Sequence, residues 1–554
     1  MRRCKIATHI LSVAVLVTVT TFAQSSQLGT INFATSGSPQ AQAHFLRGVA
    51  AMHSFWYEEA LEAFKESTRA DPAFAMGYWG EAMTYNHPIW LQQDAEPARR
   101  ALAQIKDTTK LTSRERAFVE AARILYGEGD KLVRDLAYAA AMEKMYREHP
   151  DDLEVATFYS LSLLGTVRPG DKGFARQVKA GAVALEVYQK NPNHPGAAHF
   201  VIHAFDDPEH AILALPAAFR YAQIAPAASH ARHMPSHIFL QLGMWAEAAA
   251  SNETAWKVSD DWVKSKNLAR SLRDYHSNHW LTYIYCQQGR FTSAEGRINF
   301  LRQTMKDHGR ESVRWYDDTV AAFIVESQRW DLAAKLFEPS PAPSAGGDHS
   351  SHASHGAAPV ANQKPAAAQT MVPNTRRGMS LPLFVRALAA ASAGSPDAEK
   401  LLTEMRANRG QSNDAYGAKI LEIRELEIVA LIAASKKNFD EAITAMKRAT
   451  QLEEEMSPPS GPPTLIKPSH ELFGEILLGA GKPQEASKQF ATALARQPNR
   501  ARSLLGSARA AAQSGAKTTA VEIYTKLLGI WKQADANLPE MREAREFVGQ
   551  ASAR

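Results

Sequence analysis

The chain has 554 residues, of which 45% are hydrophobic, 22% charged and 8% aromatic, enough apolar material for several cores and too much length for one. Its 31 glycines and 28 prolines are ordinary usage, which excludes a collagenous or wholly disordered chain. Lys and Arg number 63 against 58 Asp and Glu, a net charge of +5; three of the positives, Arg2, Arg3 and Lys5, stand at the very start, and without them the balance is +2. A charge so small and so evenly spread excludes a dedicated nucleic-acid or anionic-membrane binder.

Residues 1–23 combine that basic start with an apolar stretch from Ile6 to Phe22 and small residues at Thr21 and Ala23. This is the pattern of a signal peptide cleaved after Ala23, which predicts export to a periplasmic or extracellular compartment. No later apolar run reaches bilayer length. Cys4 leaves with the signal and Cys286 stays alone, so no internal disulfide is expected and stability must come from packing. Cys286 lies in the apolar run Trp280–Cys286 and reads as a buried small hydrophobe rather than a nucleophile.

After a short extension, 24–40, a period of 34 residues sets in. Residues 41–74 carry Gly48, Ala60, Phe64 and Pro72, a weaker unit begins near 75, and 94–190 is helical by pattern but irregular by period. A unit near 195 follows, then 229–262 with Gly243, Trp245, Ala248 and Ala255, 275–308 with Leu281, Tyr285, Gly289, Phe291 and Ala294, and one from about 314 with Trp330, Ala333 and Phe337. Residues 339–376, rich in Pro, Ala, Ser, Gly and His, read as a disordered linker. Beyond it come 423–456, a proline-rich connection at 456–468, the units 467–500 and 501–534, and a capping helix near 538–551. In the last two units a small residue in the first helix and an alanine in the second allow close approach, glycine ends the first helix, and proline follows the second.

This pattern resembles the tetratricopeptide repeat. The phrases YWGEAMTYNHPIW, HARHMPSHIFLQLGMWAEA and IKPSHELFGEILL resemble a group of exported bacterial tetratricopeptide proteins. The resemblance implies an all-α solenoid of stacked helix-turn-helix repeats and an exported location, and no reaction. The expected organisation is an N-terminal array over 41–338, the linker, and a C-terminal array over 377–554, with strands almost absent.

Nine of the 19 histidines fall between His194 and His279. His199 and His203 are four apart, as are His233 and His237, so each pair can share a helix face. The pairs are 34 residues from one another, as are His53 and His87, while His276 and His279 take the places of His230 and His233 in a later unit. The resemblance adds a direction, since first helices of this repeat family line a concave groove, and His53, His87, His199, His203, His230, His233, His237, His276 and His279 are therefore expected in a ligand groove. Two readings follow. In one, the rings are inward polar residues hydrogen-bonded to each other, to Asn278 or to backbone. In the other, His199, His203, His233 and His237 hold a transition metal, Zn, Cu, Ni or Fe, with Asp206, Asp207, Glu209 and His210 able to orient the rings. His349, His352 and His355, in the linker, read as solvated.

Other motifs fail on inspection. His470-Glu471 lacks the second histidine of a zinc protease, because Gly474 stands there; Gly479–Lys482 lacks the spacing of a phosphate loop; no GxSxG occurs. Trp56, Trp79, Trp90, Tyr78 and Tyr85 read as core. With no nucleophile beside a partnered base, the adopted reading is non-catalytic: an exported scaffold binding a protein or peptide in its groove, with a metal-binding protein or metalloenzyme as the alternative. Because 339–376 lacks apolar periodicity, limited proteolysis is expected to cut there first and leave two helical fragments. Equal cleavage rates throughout 380–534 would contradict a folded C-terminal array.

Overall fold

The computed structural model describes residues 27–168, 170–171, 173–337, 381–408 and 415–552; the expected signal peptide and linker lie outside them. The described chain is built of helices. In order they are α1 Pro39–His53, α2 Tyr57–Ala70, α3 Ala75–Met83, α4 Ala95–Leu102, α5 Ser113–Leu125, α6 Lys131–Glu148, α7 Leu153–Leu164, α8 Ala175–Lys190, α9 Pro195–Ala204, α10 Ala211–Ile224, α11 Ser229–His233, α12 Pro235–Gln241 and α13 Trp245–Ser265. There follow α14 Tyr275–Gln287, α15 Phe291–His308, α16 Tyr316–Ser327, α17 Ala333–Phe337, α18 Leu381–Ser392, α19 Asp397–Asn408, α20 Ala415–Ser435, α21 Phe439–Glu454, α22 Ser469–Gly479, α23 Pro483–Arg496, α24 Ala501–Gln513, α25 Lys517–Ile530 and α26 Pro539–Ser552. Among the described residues the extended structure is one antiparallel pair, Asn86↔Gln93 and His87↔Gln92. No helix there is long and apolar enough to cross a membrane.

Adjacent helices approach because glycine faces an aromatic wedge. Phe64 of α2 sits between Gly48 of α1 and Gly80 of α3, where a Cβ on either glycine would overlap its ring. Phe490 of α23 repeats the arrangement between Gly474 of α22 and Gly506 of α24. Both wedges are fully buried, as are Ala60, Ala248, Ala294 and Ala486 on second helices. The small-residue positions legible in the sequence are therefore true contact points of the helix pairs, where close approach brings many weak dispersion contacts into range.

The chain divides into two compact units, one ending at Ser259 and the other beginning at Asp260. In the first unit Phe33, Phe45, Trp79, Phe118 and Phe158 form one aromatic core, with Phe33 5.0 Å from Phe118 and Trp79 5.4 Å from Phe158. In the second, helices α14–α17, expected at the end of an N-terminal array, share their core with the C-terminal helices. Gln287, closing α14, donates to Glu326 at 2.9 Å, accepts the N–H of Ala501 at 2.9 Å and offers its carbonyl to Trp531 Nε1 at 3.0 Å. Asp535 N–H reaches back to Gly289 O at 3.0 Å. The guanidinium of Arg500, 1% exposed, binds Glu471 at 2.7 and 3.1 Å, Tyr283 at 3.0 Å and Glu326 at 2.7 Å. Glu471, with Lys467 at 3.0 Å and Ser503 at 2.7 Å, thus serves a structural network. Cys286 is buried and free, and burial pushes its thiol well up.

Gly506→Ala is expected to lower stability by about 1–3 kcal/mol through overpacking against Phe490. Gly529→Ala, in α25 with open space around it, is expected to raise it by roughly 0.5–1 kcal/mol. Urea unfolding midpoints moving together would contradict the wedge.

Candidate functional site

Five of the nine predicted histidines meet in the interior of the first unit. Helix α9 carries His199 and His203 and packs on α10, whose Tyr221 stacks on His199 at 5.2 Å. The next pair of elements, α11 and α12, carries His230, His233 and His237. These two are not one regular helix: Pro235 supplies no N–H, and His237 N bonds the Met234 carbonyl in a tighter turn. The predicted four-residue pair on a continuous face is thus realised across a break, and it meets all the same, with His233 Nε2 and His237 Nε2 3.1 Å apart.

The rings interlock with a stagger that equal spacing did not predict. His199 Nε2 lies 3.1 Å from His230 Nε2, and the ring centroids of His203 and His237 stand 5.9 Å apart. The ligand nitrogens of His199, His203 and His230 all lie within 4.8 Å of one another. His203 Nε2 is buried and makes no hydrogen bond. Phe55 forms a wall, its ring 4.3 Å from His199, 5.6 Å from His203 and 5.5 Å from His230, and Trp90 adds a second at 6.1 Å from His230. Phe55 reaches this place from a turn with φ of 52°, a left-handed conformation that costs a non-glycine residue on the order of 1 kcal/mol or more.

Hydrogen bonds to the far side of the rings set their tautomers. His199 Nδ1 lies 2.7 Å from the carbonyl oxygen of His53, so Nδ1 carries the hydrogen and Nε2 presents a lone pair. His237 Nδ1 lies 2.6 Å from Asp206 Oδ2. His233 Nδ1 lies 2.7 Å from Asn252 Oδ1, and the Asn252 amide is oriented by donating to Ala248 O at 2.8 Å, so His233 Nδ1 is also a donor. Burial lowers His203 and His237 to about 3 and holds His199 and His230 well below the usual imidazole range, with neighbouring rings adding to the effect on His199, His203 and His230. Burial raises Asp206 to about 7, against a pull downward from Gln241 and His203. His199, His203, His230 and His237 are therefore neutral at neutral pH.

His53 and His87 take other partners within the first unit. His53 Nε2 donates to Glu154 at 2.8 Å, and His194 Nε2 meets the second oxygen at 3.1 Å, all three side chains being buried. The N–H of Ala197 donates to His194 Nδ1, which leaves the His194 hydrogen on Nε2, toward the carboxylate. Burial would raise the Glu154 carboxyl, but His194 and His53 outweigh it and hold it well below the usual range. His87 stacks on Tyr57 at 4.1 Å and bonds Thr84 O, and burial lowers it to about 4. In the second unit His276 and His279 lie against Trp315 at 5.5 and 5.6 Å. Of the expected orienting acids, Asp206 does orient a ring, while Asp207 bonds His210 at 2.9 Å. His53, His199 and His233 are at most 1% exposed, so these positions belong to the interior rather than to an open surface. Sequence reasoning missed Phe55, Glu154 and Asn252, which carry no periodic signal.

Tetratricopeptide-repeat models match residues 41–74 and 472–539. No curated protein matches the sequence. Similar solved structures include the Cut9–Hcn1 hetero-tetramer of the APC/C, at 11% identity over 92% of this chain and 76% of that one, with a TM-score of 0.32. The tetratricopeptide domain of P58(IPK) is 14% identical over 73% of this chain and 100% of its own, with a TM-score of 0.21. The human IFIT1 dimer with PPP-AAAA is 12% identical over 92% and 94%, with a TM-score of 0.33.

Imidazoles buried neutral must take up protons when the chain unfolds below their free value near 6.5, so their contribution is complete above about pH 7 and is lost as pH falls through that value. Asp206, raised to about 7, works in the opposite sense between its free and folded values, but it is one group against several rings. Chelator-treated protein is expected to lose at least about 2 kcal/mol between pH 7 and 5.5, read from urea unfolding midpoints. A flat profile would mean that the rings are not buried neutral.

Proposed function

We propose that this tetratricopeptide-repeat protein is an exported scaffold that holds a protein or peptide partner in the groove formed by the first helices of its repeats. Repeats of this kind are typical of protein–protein interaction, and that general role extends to this chain through the matches at both ends. The observation that carries the finer reading is the wedge of Phe64 and Phe490, each locking two first helices side by side against glycine. A surface preformed in this way loses little conformational freedom when it receives an extended segment, so more of the contact energy appears as affinity. Export is supported by the basic, then apolar, then small-residue pattern of 1–23.

Random peptides displayed on phage are expected to enrich a shared motif on the purified mature chain, and photo-crosslinking versions of the enriched peptides to attach to α1, α3, α9, α14, α22 or α24. Enrichment with crosslinks confined to second helices would overturn the groove, and no enrichment would overturn peptide binding. Mass spectrometry of the full-length chain expressed in a bacterium is expected to find the mature protein beginning at residue 24 in the periplasmic fraction. An intact Met1 in the cytoplasm would overturn export.

A further inference from the structure

We propose that the five-imidazole cluster of the first unit is a binding site for a transition-metal ion of the zinc, copper or nickel class, with His199, His203 and His230 as primary ligands and His233 and His237 as a second bank beside them. His199 gives its Nδ1 hydrogen to the carbonyl of His53, so its Nε2 presents a lone pair, and the buried Nε2 of His203 has no hydrogen bond. His233 gives its Nδ1 hydrogen to Asn252, which leaves its Nε2 a lone pair, 3.1 Å from Nε2 of His237.

Spacing agrees. With metal–nitrogen bonds of about 2.0–2.1 Å, two nitrogens held cis on one square-planar or tetrahedral ion stand about 2.8–3.4 Å apart. The Nε2 atoms of His199 and His230 are 3.1 Å apart, as are those of His233 and His237. His203, within 4.8 Å of the first two, closes on an ion by rotating its ring. The donor set is all neutral nitrogen without thiolate, which suits borderline transition metals and excludes magnesium or calcium as natural occupants. The surroundings orient the rings: a backbone carbonyl, an amide and a carboxylate each hold the far nitrogen of one of them. Aromatic walls from Phe55 and Trp90 keep the site dry.

A rival arrangement satisfies the His233–His237 contact without an ion. A proton on Asp206 would donate to His237 Nδ1, move the imidazole hydrogen to Nε2 and turn the contact into an ordinary hydrogen bond. It leaves His203 Nε2 without a partner, and it takes up no metal.

The test uses the full mature chain carrying His349→Ala, His352→Ala and His355→Ala, which removes the linker chelator. After chelator treatment and dialysis, titration with Co2+ is expected to produce the visible ligand-field bands of a nitrogen-ligated ion, saturating at one to two equivalents per chain, and Zn2+ to displace it. His203→Ala with His230→Ala should weaken retention at least tenfold, while His210→Gln, outside the cluster, leaves it unchanged. Should the double variant fail to fold, the unsubstituted cluster still decides the matter, because Zn2+ added in excess must raise the unfolding temperature of the chelator-treated chain. No bands and no thermal shift would establish the rival arrangement. Bands that survive His203→Ala with His230→Ala in folded protein would place the ion elsewhere and overturn the assignment.

Discussion

The first unit is organised around one buried negative charge. Glu154 is fully buried in the opening turn of α7, where the unpaired N–H groups of a helix start favour an anion, and its two oxygens take hydrogens from His53 of α1 and from His194, which caps α9. Three elements distant in sequence are thereby pinned to a single carboxylate. Because His53 is held by its ring, its carbonyl oxygen is held too, and that oxygen aims His199 into the cluster. Removing one partner from such a group leaves a desolvated charge uncompensated, at a cost of roughly 3–5 kcal/mol. The histidine cluster inherits its geometry from an acid that never touches it.

The second unit uses the same logic with the opposite sign. Arg500 is the buried charge, and its fork spans Glu471, Glu326 and Tyr283, while Lys467 balances the extra carboxylate. Planar guanidinium geometry allows one side chain to address α14, α16 and α22 at once, which an ammonium could not do. Helix pairs supply the regular part of both units, and these charges fix how non-adjacent pairs are arranged.

The helical architecture was legible because it rests on local signals: alanine and glycine at contact positions, proline after second helices, a repeated period. Gly48, Phe64, Gly474 and Phe490 stand where that period places them. The histidine cluster was legible in membership, since His199, His203, His233 and His237 do meet, but not in register. His230 joined through a stagger of 31 residues, and the break at Pro235 was not foreseen from a four-residue spacing. Burial was misjudged for a physical reason: histidine reads as polar, yet a ring whose hydrogen is accepted by a neighbour, as that of His199 is by the His53 carbonyl, loses less on leaving water. Glu154, 101 residues from His53, and Phe55, lodged in a strained turn, leave no trace that spacing could detect.

The return of the second unit's last helices to its first has a consequence for cooperativity. A linear stack of repeats melts from its ends, because a terminal repeat is held by one neighbour only. Here Gln287 grips both the start of α24 and the indole of Trp531, so α14 and the C-terminal helices each have a second neighbour far along the chain. Opening α14 would release Tyr283 from the Arg500 network. Such closure exchanges the gradual unzipping of a solenoid for a single transition, and it ties the earliest helices of the unit to residues made more than two hundred positions later, 217 in the case of Tyr283 and Arg500. Those helices wait for the end of the chain before their environment is complete, which slows folding by a closure cost that grows with the logarithm of the loop.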